Sequence, residues 1–92
     1  MTPITKIEDV VLIRKGDRLT VHTIGNDWAS KLGIEELSGL TYFMFTVTDI
    51  PAPEMNDIKN HIFKLHLTSH EGIPDVQVKA SDLLDGNWHL GA

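Results

Sequence analysis

The longest β-forming stretch of the chain runs from Leu40 to Ile50, where Tyr42, Phe43, Phe45, Thr46, Val47 and Thr48 bring aromatic and β-branched side chains together. Such side chains fit a pleated surface, and the segment predicts a central strand. Farther on, Phe63, Leu65 and Leu67 alternate with Lys64, His66, Thr68 and His70. Successive strand residues point to opposite faces, so this pattern predicts a strand with one buried and one wet face. Near the N-terminus, Leu19, Val21 and Thr23 alternate with Thr20, His22 and Ile24, whereas Val10, Val11, Leu12 and Ile13 form an unbroken apolar run. With Gly16-Asp17 between them, the two segments predict a β-hairpin over 10–24 whose first strand is covered on both faces.

Turn residues divide the rest. Gly25-Asn26-Asp27 supplies a turn and an N-cap, because a short Asn or Asp side chain accepts from the free amides of a first helical turn. Trp28 and Leu32 then share a helical face, Gly33 suits the left-handed conformation that ends a helix, and Ile34 to Leu37 add a further turn before Ser38-Gly39. Pro51-Ala52-Pro53 stops the long strand, and Glu54 to Asn60 predict a short helix with Met55, Ile58 and Ile62 on one side. Glu71-Gly72-Ile73-Pro74 turns the chain again, Val76 and Val78 open a last extended piece, and Asp85-Gly86 predicts a second hairpin turn before Trp88, His89 and Leu90. The sum is an α+β domain on an antiparallel sheet of about five strands with one or two short helices. A small SH3-like barrel is the alternative, because the segment Lys15 to Val21 would also suit a barrel hairpin.

At 92 residues the chain makes one domain, residues 1–92, and buries only about 60–65% of the surface its unfolded form exposes. It has no Cys, which removes disulfides, thiolate metal sites and cysteine nucleophiles together. Its longest aliphatic run falls far below the ~18 residues that span a bilayer, and the start Met-Thr-Pro-Ile-Thr-Lys has no signal-peptide apolar core, so a cytoplasmic protein with no membrane partner is expected.

Charge changes the picture by its position. The formal net charge is −5, yet residues 1–33 hold Lys6, Arg14, Lys15, Arg18 and Lys31 against Glu8, Asp9, Asp17 and Asp27. Residues 34–92 hold only Lys59, Lys64 and Lys79 against nine carboxylates. An acidic chain of this kind makes a poor general nucleic-acid binder, which needs many Lys and Arg contacts to release counterions. An acidic face competes instead for a basic groove on a partner protein.

The motifs of catalysis are missing. His61, His66, His70 and Glu71 are the one clustered metal-ligand set, but on a strand His66 and His70 lie about 13 Å apart, too far for two ligands near 2 Å from one zinc. Ser69, His70 and Glu71 are consecutive, and on a strand neighbours face opposite ways. No Ser lies in a Gly-x-Ser-x-Gly elbow, Asp85-Gly86 does not fit a calcium loop, and no phosphate loop or dinucleotide fingerprint occurs. The expectation is a protein that is not an enzyme, with no cofactor, no metal and no small-molecule substrate.

Surface recognition remains. Arg14, Lys15 and Arg18 crowd the tip of the first predicted hairpin, where three cations hold a phosphate or a carboxylate. Glu35 and Glu36 lead the acidic stretch. Trp28 and Trp88 each combine a large apolar body with one N–H donor, as interface anchors do. Trp28 is expected in the core, and Trp88, close to the C-terminus, is the better candidate for exposure.

With its acidic, cysteine-free composition, its antiparallel pattern from Val10 to Leu90 and its basic segment Arg14-Lys15-Gly16-Asp17-Arg18, the chain resembles the small phage-encoded anti-CRISPR proteins that inhibit type I-F surveillance complexes. Those proteins share no sequence signature, so the resemblance assigns no residue a role. It implies a stoichiometric inhibitor, in the cytoplasm of a bacterial host, that sits on a Cas protein complex (Cascade) and blocks target DNA binding or hybridisation. Acidic side chains from Glu35 to Asp57 would mimic DNA phosphates, or the basic segment would touch guide RNA. The alternatives are a phage structural or assembly protein pairing through sheet edges and, behind it, a small metal-dependent enzyme.

Overall fold

The computed structural model describes residues 2–37, 39–50 and 61–91. The expected helix over Glu54 to Asn60, the stop at Pro51-Ala52-Pro53 and the break at Ser38 lie outside these. The elements are β1 (Thr2–Pro3), α1 (Ile7–Val10), β2 (Arg18–His22), α2 (Trp28–Lys31), a 3₁₀ turn over Glu35–Leu37, β3 (Tyr42–Asp49), β4 (Ile62–Leu67), β5 (Val76–Lys79), a 3₁₀ turn over Ala80–Leu84, and β6 (Trp88–Leu90). The six strands form one antiparallel sheet in the order β1-β6-β2-β3-β4-β5. The α+β class and the antiparallel sheet are as the sequence predicts.

Side-chain alternation sets the layers. Along β3, Phe43, Phe45 and Val47 are buried, and the register continues them across the sheet: Leu19 faces Phe45, which faces Leu67, and Val47 faces Leu65. β4 is buried at Phe63, Leu65 and Leu67 and exposed at every residue between, the half-wet strand expected from its pattern. Over this apolar face lie the helical segments, contributing Val10, Trp28, Ala29, Ala80 and Leu83 to one core with Ile4, Ile13 and Ile34. The other face carries Arg18, Thr20, His22, Tyr42, Met44, Thr46, Lys64, His66 and His89 at the alternate positions of β2, β3, β4 and β6.

The predicted hairpin over 10–24 does not form. Its second strand is β2, but β2 pairs with β3 and β6, and the apolar run before it is a helical turn. The Asp9 carboxylate accepts from the amides of Thr5 (3.0 Å) and Lys6 (3.2 Å), closing the N-terminus of α1. Val11 N–H then reaches Ile7 C=O and Ile13 N–H reaches Val10 C=O. Three-residue spacing sends Val10 and Ile13 into the core and leaves Val11 53% and Leu12 62% exposed. An unbroken apolar run reads equally well as a doubly covered strand or as one turn of a helix; here the cap decides. The tight turn does form, with the Asp17 carboxylate accepting from Arg14 N–H and Gly16 at φ +93°, but it delivers the chain to β3: Gly16 N–H donates to Val47 C=O and Val47 N–H to Asp17 C=O.

Asp85-Gly86 likewise is a turn and not a hairpin, since β5 and β6 lie on opposite sides of the sheet and the Ala80–Leu84 turn carries the chain between them. Trp28 N–H is capped by the Asn26 side chain (3.1 Å), and Gly33, at φ +73°, ends the α2 segment as its sequence predicts. α2 is locked down by its indole. The Trp28 N–H donates to the Asp85 carboxylate, and its ring meets Trp88 edge to face with centroids 5.1 Å apart.

Leu65 is fully buried between Val47 and Val76. Leu65→Ala is expected to cost about 2–5 kcal/mol, a large share of a small domain's stability, and to lower the urea midpoint with an unchanged m-value.

Candidate interaction surfaces

Arg14, Lys15 and Arg18 are all exposed. Arg14 and Lys15 lie in the α1–β2 connection, held through its backbone by the Asp17 turn and by Val47, and Arg18 opens β2 opposite Thr46. Among the described residues none of the three forms an ion pair. The sequence reading missed what sits beside them. Val11 and Leu12, the outward pair of the helical turn, expose their side chains on the same connection. The available signal was the i, i+3 spacing of Val10 and Ile13. The result is an aliphatic and cationic tip spanning residues 11–18 on an otherwise acidic chain.

Glu35 and Glu36 are exposed on their 3₁₀ turn, with Glu35 accepting from the Ser30 hydroxyl at 3.1 Å. The acidic turn and the basic tip belong to different connections, and no hydrogen bond or ion pair joins them among the described residues. Trp88 is not at the surface. It is fully buried at the centre of the aromatic core, 6.0 Å from Phe45 and edge-on to Trp28, because β6 is inserted between β1 and β2. A partner cannot reach it, and the expectation of exposure from its place near the C-terminus is corrected. Trp28 is core, as expected.

The open sheet face is organised by Asp75. Its carboxylate meets His66 Nδ1 at 2.9 Å and accepts from the Thr48 hydroxyl at 3.2 Å. Thr48 falls where the β3–β4 register shifts between Val47 and Asp49. The hydrogen bond from His66, helped by Thr48 and by the nearby His66 and Lys64 charges, holds the Asp75 carboxyl below the usual carboxylate range. His22 and His89 make an edge-to-face pair, centroids 4.7 Å apart, on the same face.

For Ser69 and His70 the strand premise fails: β4 ends at Leu67, and in the following bend Ser69 Oγ and His70 Nδ1 lie 2.9 Å apart. They border a shallow cleft of ≈ 210 Å³ with Leu40, Thr41, Tyr42 and Met44. Among the described residues no carboxylate bonds the His70 ring. No three His, Asp or Glu side chains converge on a point that could hold a metal ion among the described residues, and no helix there is long and apolar enough to cross a membrane.

Compared with known proteins, the chain matches no family model, no curated protein and no solved structure.

Asp75 and Asp9 both have carboxyls lowered from the ordinary value of 3.8, the first chiefly by His66 and the second chiefly by the Thr5 amide. A depressed folded-state value contributes stability that is complete above 3.8 and is lost as pH falls below it through the lower folded value. The urea midpoint should therefore drop between neutral pH and about pH 3, and the drop should be smaller in Asp75→Asn. An equal drop in the two proteins would contradict the assignment of His66 and Thr48 as partners that favour the ionised carboxylate.

Proposed function

We propose that this chain is a non-enzymatic binding module that inhibits a larger nucleic-acid-processing assembly. The type I-F CRISPR RNA-guided complex is the partner its sequence resemblance nominates, and blocked access of target DNA is the effect. The observation that carries a binding role is the tip over residues 11–18, where exposed Val11 and Leu12 stand beside three cations that no carboxylate pairs among the described residues. Apolar side chains of this size gain about 1.5–3 kcal/mol each on full burial, while flanking charges set the approach rate and the register. The combination fits a partner surface that offers an apolar recess rimmed by phosphates or carboxylates, such as guide RNA lying against a Cas subunit. Exposed apolar side chains also lie near the Glu35–Glu36 turn, where Leu40 N–H donates to Leu37 C=O and the Thr23 hydroxyl, next to Ile24, donates to Leu40 C=O; the three cations within residues 14–18 make the basic tip the favoured contact.

The purified protein should co-elute with a type I-F complex on size exclusion and lower its binding of target DNA. Leu12→Ala should weaken the complex about tenfold, and combined Arg14→Glu, Lys15→Glu and Arg18→Glu should abolish it, while Glu35→Lys with Glu36→Lys leaves it unchanged. Absence of co-elution would end the CRISPR assignment. Loss of binding on reversing only the glutamates would move the interface to the acidic turn.

A further inference from the structure

Among the described residues the sheet ends at β5, whose one strand partner is β4. Ala80 N–H donates to His61 C=O at 2.8 Å, and antiparallel hydrogen bonding alternates along a strand. The bonded pairs with β4 are therefore Val78 with Phe63 and Val76 with Leu65, leaving the peptide groups of Asp75, Gln77 and Lys79 turned outward. The Asp82 carboxylate, which accepts from the outward Lys79 N–H at 3.3 Å, agrees with this direction. The outer edge borders an open cleft of ≈ 230 Å³ lined by Ile62, Gln77, Val78, Lys79 and Asp82.

The edge sequence, Asp75-Val76-Gln77-Val78-Lys79, complements itself. We propose that β5 is a dimerisation edge at which a second copy of this chain pairs antiparallel about Gln77, joining two sheets into one of twelve strands. In that register Gln77 exchanges both backbone hydrogen bonds with its symmetry mate. The Asp75 N–H reaches the partner's Lys79 C=O, and Val76 stands at the non-bonded position opposite the partner's Val78, which is already buried in its own core, so the backbone bonds and the charged ends carry the pairing. Asp75, its carboxylate already held by His66 and Thr48, stands opposite the partner's Lys79 at both ends, where the ammonium joins as a further donor. An edge lysine ordinarily guards against pairing, since it has no partner on an incoming edge; in this register the incoming edge supplies the carboxylate. The arrangement is isologous, so it closes at two copies and does not build a fibre. Five edge residues from each copy make a small interface, and the dimer is weak.

Sedimentation of the wild-type chain up to about 1 mM should show a concentration-dependent monomer–dimer equilibrium. Gln77→Pro removes an outward N–H and no bond to β4, so it should keep the folded far-UV spectrum and urea midpoint while abolishing dimers. Asp75→Lys places Lys opposite Lys, and Lys79→Glu places Glu opposite Asp, so each should be monomeric alone. Mixed in equal amounts they should form a heterodimer, because both end pairs are then of opposite charge. A wild-type chain that stays monomeric throughout, or a Gln77→Pro chain that dimerises as the wild type does, would overturn the proposal.

Discussion

Everything in this fold depends on β3 being held from both sides with one set of alternate side chains facing inward. Phe43, Phe45 and Val47 lie on the core face, and β2 and β4 set Leu19, Val21, Leu65 and Leu67 beside them. Because the period of a strand is two, a slip of one residue would turn this whole set to water and bring Met44, Thr46 and Thr48 inside. The register is therefore fixed by the entire apolar layer and not by any single contact. The Gly16–Asp17 turn bonds to Val47, and the Trp28–Asp85 contact fastens the covering layer to the segment leading into β6.

One consequence is that the described residues form one core and leave a good deal of surface that is organised but uncovered by it. The short helical segments reach over one face of the sheet. The opposite face displays histidines, a tyrosine and Asp75, the last fixed by His66 and Thr48. At the ends of the sheet, β1 is a two-residue strand and β5 a four-residue one. The chemistry on the outside is thus polar contact, exposed aliphatic side chains and a strand edge. The uneven charge sharpens this: a chain of net charge −5 keeps three of its eight basic residues in one five-residue stretch.

Much of this was legible in the sequence where local and tertiary preferences agree. β3 and β4 were visible because aromatic and β-branched side chains alternate with polar ones, and the α2 boundaries because the Asn26 side chain caps the Trp28 amide and Gly33, lacking a Cβ, takes the left-handed conformation. The first apolar run was not, since Val10, Val11 and Ile13 are β-formers and the helical turn there is closed by Asp9 reaching back to the Thr5 and Lys6 amides. Misreading that run hid the exposed pair Val11 and Leu12, though the neighbouring cations were found. Trp88 was misplaced because proximity to a terminus says little about a strand inserted between two others. The Ser69–His70 contact was missed because the alternating pattern through His70 outlasts the strand, which stops at Leu67 and gives way to a bend.

The role of β3 as the element that holds the rest is tested most directly by native-state hydrogen exchange. Backbone amides at the centre of β3, from Phe43 to Val47, should exchange only through global unfolding, with protection equal to the stability measured by urea. The amide of Leu12, in the exposed tip, should exchange orders of magnitude faster. If the slowest amides instead lay in α1 and α2, with β3 opening at lower free energy, the covering layer and not the central strand would be the foundation of the fold.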